Sequence, residues 1–216
     1  MRRQDRSDAT REVILVTAER LMAERGVYAV SNRQISEAAG QGNTAAVGYH
    51  FGSKTDLVRA ILQRHWADVE IRRAVLVARA EGSQDVRDWV ACLVLPMTRH
   101  LEALGSPTWF ARFAAQVMTD PALRAVVSEE MAGSRSLLAA LGGLHACLPD
   151  LAVPVLAERG DMIRQLMVHM TAERERALAD GAPTPRPTWD AAAAGLVDAI
   201  TGIWLAPVVS GAHRAV

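Results

Sequence analysis

The chain is poor in aromatic residues, at 5% of its 216 positions, and no stretch alternates apolar and polar residues as a half-buried strand does. Both absences argue against a β-rich fold, because strands concentrate aromatic and β-branched side chains. Cysteine is almost missing. Cys92 and Cys147 have no metal-like spacing and no histidine cluster to join, so they read as two reduced, buried thiols, and no metal site or cofactor is expected. The motifs of common enzyme chemistries are missing too: HExxH, GxSxG, a P-loop, CxxC and paired Glu-x-x-His sets. No catalytic residue is therefore named, and an all-α enzyme remains only a remote alternative. Lysine is the scarcest charged residue: Lys54 stands alone among 24 basic residues. The N-terminus is rich in Arg and Asp and has no apolar run, which argues against a signal peptide and for a cytoplasmic location. One charge-poor run, Ala191 to Val209, reaches the length of a membrane span. Asp198 near its middle, where a charge costs about 2.5–3.5 kcal/mol, and Pro207 near its end speak for a buried helix at a subunit interface instead.

Half of the residues are hydrophobic, with Ala and Leu abundant, which favours helix. The expected architecture is all-α, with about nine helices and no internal repeat. The first helix is placed at Ala9–Arg25, after a frayed polar start, with Ile14, Ala18, Leu21 and Met22 on one face. Ser31 caps a second helix and Gln34 completes a capping box; Ile35, Ala38 and Ala39 are its buried side, and Gly40 ends it. Gln41-Gly42 form a turn, and Asn43 caps a third helix that runs only to His50. Gly52 resets the chain, and Ser53 with Asp56 opens a fourth helix reaching Ala80. Further helices are expected from Ser83 to Leu104 (kinked at Pro96), from Pro107 to Met118, from the Asp120-Pro121 start to Leu141, from Pro154 to Gly181, and from Thr188 to Val209. The stretch 182–187 carries three prolines and is a loop.

Two short helices joined by a turn are the smallest device for presenting side chains to the DNA major groove. Residues 1–64 hold ten basic and seven acidic groups, a net of +3, and the remainder carries −3, so the charge asymmetry agrees with a polyanion partner at the N-terminal end. The segments Glu24-Arg-Gly26, Ser31-Asn-Arg-Gln-Ile-Ser-Glu-Ala-Ala-Gly40 and Val47-Gly-Tyr-His-Phe-Gly-Ser-Lys-Thr-Asp-Leu57 resemble, in order and spacing, the DNA-binding domain of the tetracycline-repressor (TetR) family. The likeness covers about residues 9–60. Gly40 to Phe51 is one residue longer than the commonest family pattern, and Gly48 stands where many members place a DNA-facing side chain.

The resemblance implies a helix-turn-helix DNA-binding domain at 1–52 and a helical effector-binding and dimerisation domain at 53–216. It also implies a ligand-responsive regulator that binds a palindromic operator as a homodimer, its partners being double-stranded DNA and an unidentified small-molecule effector, with no membrane. A repressor is the first expectation; an activator or an effector-independent regulator is the alternative. Helix 3, too short to stand alone, would be anchored by Val47 and Phe51. That leaves Gln41, Gly42, Asn43, Thr44, Ala45 and Gly48 facing the groove. The residues alone leave Tyr49 and His50 open between core and phosphate; the resemblance favours phosphate for Tyr49. Lys54, in the first turn of helix 4 where free amides attract anions, is expected on phosphate, with Ser31 and Arg33 as anchors across the turn. Arg2, Arg3 and Arg6 read as a charged tail or an arm over DNA.

The dimer face is expected on the last two long helices, through Ile163, Met167, Met170, Leu196, Ile200, Ile203 and Trp204, although part of this surface must serve the chain's own core. Trp89, Met97, His100, Trp109, Phe113, Met131 and His169 are the apolar or amphipathic candidates for an effector pocket.

Overall fold

The computed structural model describes residues 3–208, which form ten helices and no strand. In chain order they are α1 Arg3–Arg25, α2 Asn32–Ala38, α3 Ala46–Phe51, α4 Lys54–Ala80, α5 Val86–Leu104, α6 Phe110–Thr119, α7 Pro121–Ala132, α8 Arg135–Cys147, α9 Val153–Ala179 and α10 Trp189–Leu205. None of the described helices is long and apolar enough to cross a membrane. The proposed arm of Arg2, Arg3 and Arg6 lies outside the described residues as far as its side chains are concerned.

Most element starts follow from local caps. The hydroxyl of Ser31 accepts from the Gln34 amide at 3.2 Å while the Gln34 side chain accepts from the Ser31 amide at 2.8 Å, a complete capping box. Ser53 and Asp56 repeat it at α4, Asp120 accepts from the amides of Ala122 and Leu123 at α7, and Thr188 caps α10. Several boundaries differ from expectation. α6 begins at Phe110 and not Pro107, and α10 ends at Leu205 and not Val209. α1 starts at Arg3, six residues earlier than Ala9, so the polar start is helical from Arg3 onward. α5 opens on Asp85 and not Ser83, and Pro96 sits inside it without ending it. The single helix expected from Pro121 to Leu141 is two, because the chain turns at Gly133 and Ser134 caps α8 through the Leu137 amide. Gly142 and Gly143, which follow the expected helix end at Leu141, lie within α8. Gly143 is needed there: a Cβ on it would stand 2.4 Å from the Trp89 ring, so the indole packs directly on its backbone.

Two hydrophobic clusters share the interior. The first joins α1, α2, α3 and the start of α4 to Leu101 of α5, to α6 and to Leu123 and Val127 of α7. The second gathers the end of α4, the start of α5, and α8, α9 and α10. The expected division at 52/53 falls between α3 and α4, and the first cluster runs across it. α4 spans about 40 Å at 1.5 Å per residue and passes from one cluster to the other, as α5, α9 and α10 also do.

Candidate nucleic-acid interface

The corner from α2 to α4 is set by backbone conformation before any side chain matters. Gly40, with φ +68°, ends α2 in the left-handed region that favours glycine; its amide donates to the Glu37 carbonyl and the Gln41 amide to that of Ser36, both at 3.0 Å. This is a Schellman closure. Gly52, φ +79°, reverses the chain between α3 and α4.

α3 has only six residues, and it is held by what it buries. Val47 is fully buried, and Ala46 and Phe51 nearly so, in the first cluster with α1 and α4. Val47 and Phe51 are the anchors expected of them. Arg11 of α1, which nothing in the sequence pattern singles out, lies over the Phe51 ring at 4.9 Å. With that side fixed, Gly42, Asn43, Thr44, Ala45 and Gly48 are exposed, and Tyr49 is 80% exposed, the most open large apolar side chain described. A Cβ at Gly48 would meet nothing, so this position lets another molecule approach the α3 backbone.

Asn43 does not cap α3. Its side-chain oxygen accepts from the Ala45 amide at 2.9 Å, which makes a local turn, and the helix begins three residues later, at Ala46. Residues 41–45 are therefore a pre-helical loop and not the first turn of a recognition helix. The same bond takes one of the two lone pairs of the Asn43 oxygen and fixes the side chain's orientation, leaving the second lone pair and both amide donors for another molecule. Gln41 is half-buried and donates to the Ala39 carbonyl at 3.0 Å. His50 is half-buried too, edge-on to Tyr49 at 5.0 Å.

Of the phosphate anchors expected besides Tyr49, Ser31 is exposed at the α2 start, and Arg33 is exposed but bonded to Glu37 at 2.7 Å; that hydrogen bond raises its pKa. Lys54 has another task. Its Nζ donates to the carbonyl of Val27 at 3.1 Å and to that of Val30, tying the start of α4 to the loop between α1 and α2. Burial lowers its pKa. One of its three donors is left over.

Behind this corner α4 is bound on every side by polar contacts. Toward α1, Arg64 pairs with Glu12 at 2.6 Å and His65 Nε2 meets Glu19 Oε2 at 2.8 Å. Toward α5, His65 Nδ1 faces His100 Nε2 at 2.8 Å, and His100 Nδ1 meets Asp68, itself bonded by Arg72. Glu19, His65 and His100 are buried, with Phe110 stacked on His65 at 3.8 Å. Burial, with a smaller contribution from the adjacent His65, pushes the His100 pKa down against the pull of Asp68. Toward α7, Arg59 bonds Glu130 at 2.8 Å and Glu129 at 3.1 Å, and Gln63 bonds Glu130 at 3.0 Å. Toward α8, Glu70 accepts from the Ser134 hydroxyl and from the Ser136 amide. α4 is thus bonded both to the α1–α3 corner and to the body.

The expected pocket residues do not form one pocket. Phe113 is fully buried, Trp89 packs on Gly143, His100 belongs to the network above, and Met97 and Trp109 pack against the first cluster. His169 is exposed and bonded to Gln165 at 3.0 Å. Met131 borders a cavity of about 490 Å³ between α4 and the α7–α8 corner. The expected dimer face also divides. Ile163 of α9 and Leu196, Ile200 and Trp204 of α10 are buried in the second cluster, the three α10 residues because that helix packs along α5. Met167 and Ile203 are half-buried against it, and Met170 is exposed. Beside Met170 runs an apolar groove of about 470 Å³ between α9 and α10, floored by Ala192, Gly195 and Ala199. Cys92 is buried and Cys147 half-buried, both free thiols.

Two family models match the chain. That described as bacterial regulatory proteins, tetR family, covers residues 14–61, and that described as tetracyclin repressor-like, C-terminal domain, covers residues 91–202. No curated protein matches. Among solved structures, the chain is similar to a TetR family transcriptional regulator, PfmR, from Thermus thermophilus, at 18% identity and TM-score 0.51, with 88% of this chain and 96% of that one covered. It is also similar to a putative tetR-family transcriptional regulator from Mesorhizobium loti, at 15% identity and TM-score 0.50, with 92% and 98% covered. At these identities the likeness is one of fold.

Proposed function

The chain belongs to the TetR family of DNA-binding transcription regulators, and from that premise we propose that it is a repressor, a homodimer on a palindromic operator, released by a small-molecule effector. The observation that carries the DNA reading is the two-sided character of α3: Ala46, Val47 and Phe51 fasten it into the core while the loop before it, Gly48 and Tyr49 stay open. A rigid, uncovered edge is what a helix-turn-helix inserts into the major groove. Thr44 can donate to or accept from base edges, the Ala45 methyl fits a thymine methyl, and the free amide of Asn43 donates. Gly42 and Gly48 allow close approach. The Tyr49 hydroxyl, the Ser31 hydroxyl, Arg33 and His50 suit phosphate oxygens, with Gln41 behind them shaping the loop. Lys54 acts first by positioning the corner, with its remaining donor for phosphate.

One such unit reads few base pairs, so two-fold pairing is needed, with half-sites about 34–36 Å apart or a multiple of that. The groove between α9 and α10, with Met170 on its border, supports pairing through these helices, and its small residues permit close helix approach. Residues 1–52 then form the reading domain and 53–216 the effector and dimer domain, in a cytoplasmic protein. An effector acts by favouring one of two placements of α4, which alters the spacing of the paired reading units.

Selection from randomised duplex DNA tests this. A recovered motif with two inverted half-sites at that spacing is the expected result. In Thr44→Ala the preferred base at one position per half-site should change, at about 1–3 kcal/mol. Recovery of no enriched motif, or of the same motif with unchanged base preference in Thr44→Ala, rejects the assignment of this edge.

A further inference from the structure

The cavity between α4 and the α7–α8 corner has an unusual balance of satisfied and unsatisfied charge. Its walls include Trp66, Val69, Met131 and Leu137, so most of it is apolar. Its acids are fully engaged. Glu130 accepts from Arg59 and Gln63, one on each oxygen, and Glu70 accepts from Ser134 and Ser136 in the same way. Its arginines are not. Arg73 is 9% exposed, yet its guanidinium makes only two long contacts, from Nη1 to Glu70 and to Ser134, both 3.4 Å. Nε is sealed from solvent with no partner; Nη2 is not sealed, so the outward-facing Nη1 and Nη2 are the pair that a ligand in the cavity can reach. Arg135, on the rim of the same cavity, is exposed and forms no ion pair among the described residues.

A buried guanidinium presents five N–H donors, and leaving several unmade is costly. Burial lowers the Arg73 pKa, against a smaller opposing pull from Glu70, as expected for a cation whose partners are too few. The missing partner is an anion. A planar fork favours a carboxylate, which can take two parallel bonds, and a cavity of about 490 Å³ leaves room for a body behind the head group. We propose that this cavity binds a small amphiphilic carboxylate, with its head group on Arg73 and its apolar body along Trp66 and Met131.

The position gives the binding a consequence, which rests on the effector reading above. Gln63, Glu70, Glu130 and Ser134 border the cavity and are also the residues whose bonds lock α4 to α7 and α8. A carboxylate drawn to Arg73 competes with Glu70 for the guanidinium and meets this seam from within. The seam lies along the helix whose first turn holds the α1–α3 corner through Lys54.

The test uses the full chain and matched eight-carbon probes: octanoate, 1-octanol and octylamine, with acetate as the bare head group. Calorimetric titration and thermal midpoints should show binding of octanoate and little of the alcohol or amine, with acetate weaker than octanoate. Arg73→Met, close in volume and without charge, should weaken octanoate about tenfold or more. Met131→Trp, introduced from the exposed rim, should block the cavity and do the same, and it decides the matter if Arg73→Met does not fold. Equal binding of octanoate and octanol, no octanoate binding, or binding undiminished in Met131→Trp overturns the proposal. Titration of selected operator DNA with octanoate separates the two readings. Arg73-dependent binding that leaves DNA affinity unchanged keeps the site and removes its role as an effector site, whereas absence of binding removes the site and leaves DNA recognition standing.

Discussion

Glu175 caps a helix it does not belong to. It lies on α9, 1% exposed, and its carboxylate accepts from the backbone amides of Ala111 at 3.0 Å and Arg112 at 2.9 Å and from Arg112 Nε at 3.1 Å. Those amides are in the first turn of α6, whose own N-cap, Trp109, offers no side-chain bond. Orphan amides and the positive end of the helix dipole are thus met from across the fold. In Glu175→Ala all three bonds vanish at once, and the Ala111 amide and Arg112 are left without their acceptor. Breaking a buried charged pair costs about 3–5 kcal/mol. Burial has already raised the Glu175 pKa against the pull of these bonds, so removing the charge recovers part of that cost, and the lower end, about 3 kcal/mol, is expected. For a chain of this size that is a fall of roughly 6–12 °C in thermal midpoint. Glu175→Gln keeps the volume and one acceptor but turns an NH2 toward N–H donors, and should lose about 2 kcal/mol. Exposed Glu173, bonded only to Arg176 on its own helix, serves as control, with Glu173→Ala within about 0.5 kcal/mol of wild type. Urea unfolding followed by far-UV circular dichroism reads all three. A Glu175→Ala protein within about 1 kcal/mol of wild type would refute the claim that α6 is capped from α9.

Three further outcomes follow from the same geometry. Because the folded state holds the His100 pKa below its ordinary value, the unfolded chain takes up that proton first. Stability should be complete above pH of about 6.5 and decline as pH falls below it; thermal midpoints between neutral and acid pH should show this slope, and His100→Gln should flatten it. Lys54→Ala should weaken DNA binding by a similar factor on every sequence, and the slope of log affinity against log salt should fall by about one only if its third donor reaches phosphate; a changed base preference instead would contradict a purely positioning or phosphate role. Gly143→Ala drives a methyl into the Trp89 ring and should cost about 1–3 kcal/mol, whereas Gly142→Ala, with open space at its Cβ, should be neutral or slightly stabilising; equal effects in urea unfolding would show that the indole does not rest on Gly143.

What could be read from the residues alone was whatever their near neighbours decide. Ser31 with Gln34, Ser53 with Asp56, and Asp120 before Pro121 each satisfy amides two or three residues away, and each marks a real helix start. Where a choice depends on a distant partner, the pattern misled. Gly142-Gly143 is a stronger local breaker than Gly133-Ser134, yet the helix breaks at the latter, because Gly143 is required under Trp89 and Ser134 is engaged by Glu70. Periodicity marked Ile163, Leu196, Ile200 and Trp204 as one apolar surface but carries no information on whether α5 or a second chain covers it. Of the aromatic and Met residues offered for a pocket, Trp89 and Phe113 are buried in the core, while Met131 lines the cavity beside α4 together with Arg73, an ordinary surface residue by its type. Within the candidate interface the anchors Val47 and Phe51 were legible, while the Asn43 turn and the Lys54 bonds, spanning 24 and 27 positions, were not.

The solitary lysine makes the chain its own chemical reporter. Amine-directed reagents have one side-chain address in this protein, and that amine is drawn against the carbonyls of Val27 and Val30. Its rate of acylation therefore measures how often the corner between α1 and α4 opens. A single acetyl group there strips the charge and leaves at most one donor for two carbonyls, so one covalent event at a single atom unties the junction on which the reading edge depends.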